Sequence, residues 1–350
     1  MSILDLYAGE HARQQIQQHG LRPEQIKLMV GASGGPKWLM LSRLDQYFAQ
    51  HFLPKVSHPI DLLGSSVGSW RMACHSQRDP LATFQQFENL YMDQRYSEGI
   101  PPEEITTFIH HVLDHLFTDD RVQHIVDNPL RRLHVVAVRN RKLMNGRGKM
   151  AQGIGLISAA LGNTLSSRWV EWLYPRVLIS QAGSYRPYVS RPETIELTAA
   201  NLKQALIASG AIPMVMEPTK VEGGMNRWHW DGGLVDYHFP GPFDVDGLVF
   251  YPHFFPQVTP GWFDKGLPWK KARTQDYSNV VMVTPSQSFI DRLPYGKIPD
   301  RHDFEKLSDT DREAFWRTVL AETDHLVESF HNMMETDAGA SSVQPIERIL

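Results

Sequence analysis

Two short stretches carry the pattern Gly-x-Ser-x-Gly: Gly31-Ala32-Ser33-Gly34-Gly35 and Gly64-Ser65-Ser66-Val67-Gly68. That spacing suits a serine nucleophile on a sharp strand-to-helix turn, where the residues two places before and after must be small. One active site needs one nucleophile, and the surroundings separate the two serines. Gly34 and Gly35 are consecutive and open a helix, so their N–H groups can point into open space and bind a developing negative charge. The first stretch therefore reads as an oxyanion hole. The second has one clear use, the presentation of Ser66. A phosphate-binding loop is a poor alternative for the first stretch. It needs a second glycine and a hydroxyl residue where the chain has Pro36 and Trp38.

The elements around these residues follow from periodicity. Ile26–Val30 and Pro59–Leu63 are short apolar runs that end in the two turns, and read as buried strands. Leu133–Arg139, Asp246–Phe254 and Asn279–Pro285 read as further strands. Pro36 suits a first helical turn, and helical spacing continues to Phe52. Leu81–Tyr91, Glu104–Phe117, Glu196–Gly210 and Asp311–Met334 read as helices. Strands alternating with helices imply a three-layer α/β/α fold with a mostly parallel central sheet. Such sheets hold their active sites beyond the carboxyl ends of the strands, where both serine turns lie.

Composition bounds the function. The chain has 350 residues, 42% hydrophobic, with a formal net charge of -4. No strongly basic face is indicated, so a nucleic-acid partner is not expected. Cys74 is the only cysteine, which excludes an internal disulfide and fits a reducing compartment. The N-terminus turns polar too early for a signal peptide, and no window approaches a membrane span. The expected location is cytoplasmic, with peripheral contact at a membrane surface allowed. The oligomeric state is not readable.

Three motifs in order, "GASGGPK", "GSSVG" and "ALIASGAIP…WDGGLVD", resemble the patatin-like phospholipase family over roughly residues 27–240. The resemblance implies a serine acyl hydrolase cleaving lipid acyl esters of phospholipid or lysophospholipid type, and no cofactor or metal is expected. It assigns Ser66 as nucleophile, Asp231 as its base, Gly34 and Gly35 as oxyanion donors, and Lys37 as the basic residue after them. The chain departs from the family pattern at Ser33, Pro36 and Trp38 in the first turn, and at Tyr237, where the family often has asparagine. One domain over 1–350 is expected, with 241–335 completing the core and 336–350 a loose tail. Burial would raise the Asp231 pKa and make it a better base. Trp228 and Trp230 are candidates for a dry wall. Strand alternation puts His229 on the same side as Asp231, as a supporting residue.

Two other readings stand beside this one. An α/β-hydrolase-type esterase would use a Ser-His-Asp triad, with His238, His253, His302, His325 or His331 as the imidazole. A non-catalytic lipid- or protein-binding module would keep the fold alone. Elsewhere, His110, His111 and His115 lie on one expected helix and read as a solvated face rather than a metal site. The basic run Val138–Lys149 is an exposed loop or meets anionic head groups. Ala151–Gly162, apolar and glycine-rich, is a flap over the site or a buried helix. Phe255–Ala272 mixes aromatics, prolines and lysines, which fits a lipid–water boundary or a long packed loop.

Overall fold

The computed structural model describes residues 2–96, 100–141, 148–181, 192–336 and 338–350. One sheet collects strands from both ends of the chain. In chain order these are β1 (Leu4–Ala8), β2 (Ile26–Gly31), β3 (Ile60–Ser65), β4 (Arg131–Arg139), β5 (Arg176–Ser180) and β6 (Glu193–Glu196). They continue with β7 (Thr219–Lys220), β8 (Trp228–Asp231), β9 (Leu248–Pro252), β10 (Val280–Pro285) and β11 (Gln344–Pro345). Their spatial order is β11-β1-β10-β9-β2-β3-β4-β5-β6, with β8 on β4 and β7 on β8. The central run β10-β9-β2-β3-β4 is parallel throughout. Every residue of β3, β9 and β10 is buried. Strands buried on both faces need a layer on each side, so the expected α/β/α architecture is present.

The flanking helices are α1 (Glu10–His19), α2 (Ser42–Tyr47), α3 (Val67–His75), α4 (Pro80–Met92), α5 (Pro102–Leu116) and α6 (Asp119–Asp127). Then come α7 (Lys149–Leu165), α8 (Ser167–Leu173), α9 (Leu202–Gly210), α10 (Gln287–Ile290), α11 (Asp303–Lys306), α12 (Asp309–Glu335) and α13 (Ala338–Ser342). α3 starts immediately after Ser66 and is buried along its whole length. Among the described residues no helix is long and apolar enough to cross a membrane.

Three expectations about elements change. The helix expected from Glu196 begins only at Leu202. Asn201 intervenes: its side chain accepts from the Thr198 N–H and donates to the Glu196 carbonyl, which holds a turn against helix. The segment after Pro36 starts as a 3₁₀ stretch over Gly35–Leu41 before α2. The tail is not loose. β11 pairs in parallel with Tyr7 and Ala8, and Ile346 is fully buried. The exposed edge of β1 supplies ladder partners and Val343, Ile346 and Leu350 supply apolar anchors, so the tail has enough contacts to be fixed.

Candidate active site

The sheet explains how position 66 meets position 231. β4 outruns β3: the β3 pairing ends at Ser65 opposite Val136. β5 occupies the other edge of β4 through Val138. The edge beyond β3 is taken by the antiparallel β8, with Asp231 opposite Ala137. β3 and β8 thus point their carboxyl ends at each other along one edge. The Ser66 hydroxyl donates to Asp231 Oδ2 at 2.9 Å.

Ser66 sits at φ 54°, ψ −133°, a conformation that disfavours a side chain and marks a strained turn. Its N–H is held at 2.9 Å by the Ser209 hydroxyl, which itself donates to the Val136 carbonyl. Its carbonyl accepts from the Ser69 hydroxyl at 2.6 Å. The α9 segment also reaches the aspartate, because the Asp231 N–H donates to the Ala211 carbonyl. Residues 209 and 211 are therefore the strap between the two side chains. In the sequence these positions show only a helix end, which carries no sign of that role.

The other oxygen of Asp231 accepts from the Gly233 N–H at 2.6 Å. Burial pushes this carboxyl up from 3.8 to about 6, against the lowering pull of the Gly233 N–H and the Ser66 hydroxyl. Gly34 and Gly35 line the same cavity as Ser66 and Asp231. Gly35 has φ +54°, which favours glycine. Among the described residues neither glycine N–H meets an acceptor within the protein. Ser33 is buried, lines the same cavity and donates to Ser65 Oγ at 3.0 Å.

Two lobes meet at Ser66. One, of about 380 Å³, contains Lys37, Lys265 and Arg301. Burial lowers the Lys37 pKa and brings Lys265 down to about 8, with Lys37 and Arg301 adding to the shift of Lys265 and Asp231 opposing it. The Lys265 ammonium lies 3.9 Å from the Tyr237 ring centre. The other lobe, of about 640 Å³, has Val67, Trp70, Ile105, Ile109 and Met216 among its walls, and Arg301 lines both lobes. Lys265 and Arg301 escaped the sequence reading. Lys265 lies in the aromatic and basic stretch, whereas Arg301 sits among mixed charges, between Asp300 and Asp303, with no signal of its own.

Several expectations do not hold at the site. His229 is fully buried but does not line the cavity. Alternation fixes a face, not a reach, and two residues back along a strand is about 7 Å. His229 packs instead against the Gly224 turn, and burial lowers its pKa to about 4. Trp230 points to the opposite side, into a core with Val138, Val170 and Leu173. Trp228 sits under Lys220. The apolar wall comes from Leu156, Ile212, Val215, Leu234 and Trp262.

No histidine among the described residues hydrogen-bonds Ser66 or Asp231. His238 and His253 are buried outside the cavity and touch each other edge to face. His302 lines the cavity but is exposed and pairs with Glu305. His325 pairs with Glu328 on the exposed face of α12, and His331 with Tyr47. The His111 and His115 rings lie 4.1 Å apart on α5, and His111 also lies beside Phe108. No group of three or more potential metal-binding side chains converges among the described residues. Part of the basic run, 142–147, lies outside the described residues.

Fold and site define an α/β protein with a serine at a strand-to-helix turn and a carboxylate against it. The patatin-like phospholipase model matches residues 53–240, more than half of the chain, and the chain belongs to that family. The match takes in Ser66, the α9 strap and Asp231, and begins after the Gly34-Gly35 turn. No curated protein matches the sequence. One solved structure that resembles the chain is a human GIVD cytosolic phospholipase A2, at 11% identity and a TM-score of 0.34. The likeness covers 94% of this chain and 62% of that one, so this chain spans less than two thirds of its length.

Proposed function

We propose that this protein hydrolyses acyl esters of lipids through a Ser66–Asp231 dyad, within one catalytic unit spanning 1–350. The observation that carries the reading is the 2.9 Å hydrogen bond from the Ser66 hydroxyl to Asp231. Asp231 takes the hydroxyl proton as Ser66 Oγ bonds to the ester carbonyl carbon. The carbonyl oxygen becomes an oxyanion at the free N–H groups of Gly34 and Gly35. Collapse breaks the ester bond, and the leaving alkoxide takes the proton from Asp231. Water then attacks the acyl-enzyme and gives a proton to Asp231, which returns it to Ser66 as the fatty acid leaves. A carboxyl raised to about 6 is a stronger proton acceptor than one at 3.8, and is still largely ionised near pH 7.5.

The two lobes orient the substrate. The larger lobe takes the acyl chain, and the lobe with Lys37 and Lys265 takes a leaving alcohol that carries an anionic group, as in a phospholipid or lysophospholipid, with Arg301 on the wall of both. A fluorophosphonate probe and a panel of acyl esters test the reading. Labelling and hydrolysis are expected in the wild type and absent in Ser66→Ala. Equal hydrolysis by the two proteins, or none by a wild type that remains folded and open to the probe, would overturn it.

A further inference from the structure

Helix α7 faces the wrong way for a surface helix of a globular protein. Its buried residues are Gln152, Gly155, Ala159 and Asn163. Five of its six large apolar residues, Met150, Ile154, Ile157, Leu161 and Leu165, are 58 to 90% exposed, and the sixth, Leu156, is turned inward. At 100° per residue these five occupy an arc of about 80°, with no charged residue inside it. An amphipathic helix ordinarily turns such a stripe inward. Here polar contacts hold it outward. Asn163 donates to buried Asp264 at 2.7 Å, and Gln152 accepts from the Met214 N–H at 2.7 Å.

The stripe has an aromatic and basic border. Trp169 and Trp172 of α8 stack 5.1 Å apart, and each is more than 40% exposed. The Trp169 indole donates to the Ser158 carbonyl, which ties the pair to α7. Trp269 is 65% exposed, and its neighbour Lys270 reaches Ser167 at the start of α8. Arg141 lies over the Trp172 ring at 4.6 Å, and Lys149 and Arg168 open α7 and α8. The acid on these two helices is Glu171, 3.8 Å from Arg176.

We infer that this face docks on a lipid surface carrying anionic head groups, with the α7 stripe in the acyl boundary and the cations at head-group level. Tryptophans and basic residues around an apolar helix face match the two zones of such a boundary. The opposite side of α7 walls the catalytic cavity. Leu156 of α7 and Met214, which α7 holds, both line it. A bilayer docked on the stripe would therefore lie one helix away from the cavity that a lipid ester must enter. The inference rests on the lipid-ester reading for its choice of partner, and the experiment separates the two.

Binding is measured by co-sedimentation with vesicles of phosphatidylcholine alone and of phosphatidylcholine mixed with phosphatidylserine, in the Ser66→Ala background so that no lipid is consumed. Partition onto the mixed vesicles is expected. Ile154→Asp with Leu161→Asp should weaken it at least about tenfold, and Lys149→Gln with Arg168→Gln should weaken it selectively on the anionic vesicles. In the active background, the aspartate pair should cleave a short, monomeric ester at the wild-type rate and vesicle lipid more slowly. Three results would overturn the inference. These are binding of neither vesicle by the parent protein, binding by the aspartate pair equal to the parent's, and a dimer in sedimentation that the aspartates dissociate, so that a second copy covers the stripe. If no ester is ever cleaved but vesicle binding and its loss are seen, the hydrolase reading fails and the docking surface stands.

Discussion

The two Gly-x-Ser-x-Gly turns lie side by side and have different fates. β2 and β3 are adjacent and parallel, with Gly31 in register with Gly64. A side chain on Gly68 would meet the Gly31 carbonyl at 1.9 Å, so the last glycine of one turn rests on the first glycine of the other. After Ser66 the chain enters α3 at the next residue, and the serine is left at positive φ with its hydroxyl on the carboxylate. After Ser33 one residue, Gly34, precedes the 3₁₀ stretch that opens on Gly35. The N–H groups of both glycines stay free, and the serine side chain is buried against Ser65. The same local pattern thus yields a presented hydroxyl in one place and a row of donors in the other. What differs is how soon the helix begins.

The sharpest way to break this comparison is Ser66→Ala. Loss of a nucleophile is expected to lower kcat by on the order of 10⁵ and to abolish fluorophosphonate labelling. Asp231→Asn should lower kcat/KM by about 10²–10⁴. In the wild type kcat/KM should rise with pH through about 6 and then level off, because the carboxylate must be ionised to accept the proton. A rate–pH profile that keeps this inflection in the asparagine variant would remove Asp231 from the base role. Gly34→Ala tests the donor turn. The new methyl would lie 2.7 Å from the Phe254 ring, so the turn must shift, with a loss of roughly 10²-fold in kcat.

Stability gives the next contrast. The folded protein holds the Asp231 proton more tightly than the unfolded chain, so stability present at low pH is lost as pH rises from 3.8 through about 6. Asp231→Asn removes that loss. Denaturant unfolding should show the variant more stable than wild type at pH 8, by up to about 3 kcal/mol, and nearly equal to it at pH 4. Ser33→Ala should do least. It removes one hydrogen bond to Ser65, worth about 1 kcal/mol, and labelling at Ser66 should survive. Loss of labelling in Ser33→Ala would mean that the roles of the two turns are reversed.

Much of the fold was legible because it is local. The apolar runs into Gly31 and Gly64, and the helix starting after Ser66, follow from a few adjacent residues. The misses have a different physics. β1 forms on β10 and β11 on β1, and the partners lie more than 270 and at least 336 positions apart in the chain. Periodicity counted His229 with Asp231 but could not measure the distance between them. It also could not say which way α7 faces. A stripe of five apolar residues announces itself in sequence, whereas its outward direction depends on Asn163 finding Asp264 and Gln152 finding the Met214 backbone.

The sequence by itself determined the chemistry available: a serine that glycines can hold in a strained turn, a pair of adjacent glycine amides, and a carboxylate before Gly232 and Gly233. Only the tertiary structure decided which of these meet. β4 is longer than β3, and that excess edge is where β8 binds and delivers Asp231 to Ser66. Backbone conformation is set by neighbours in the chain, but strand pairing is set by which edges remain open after folding, and no stretch of residues encodes that alone.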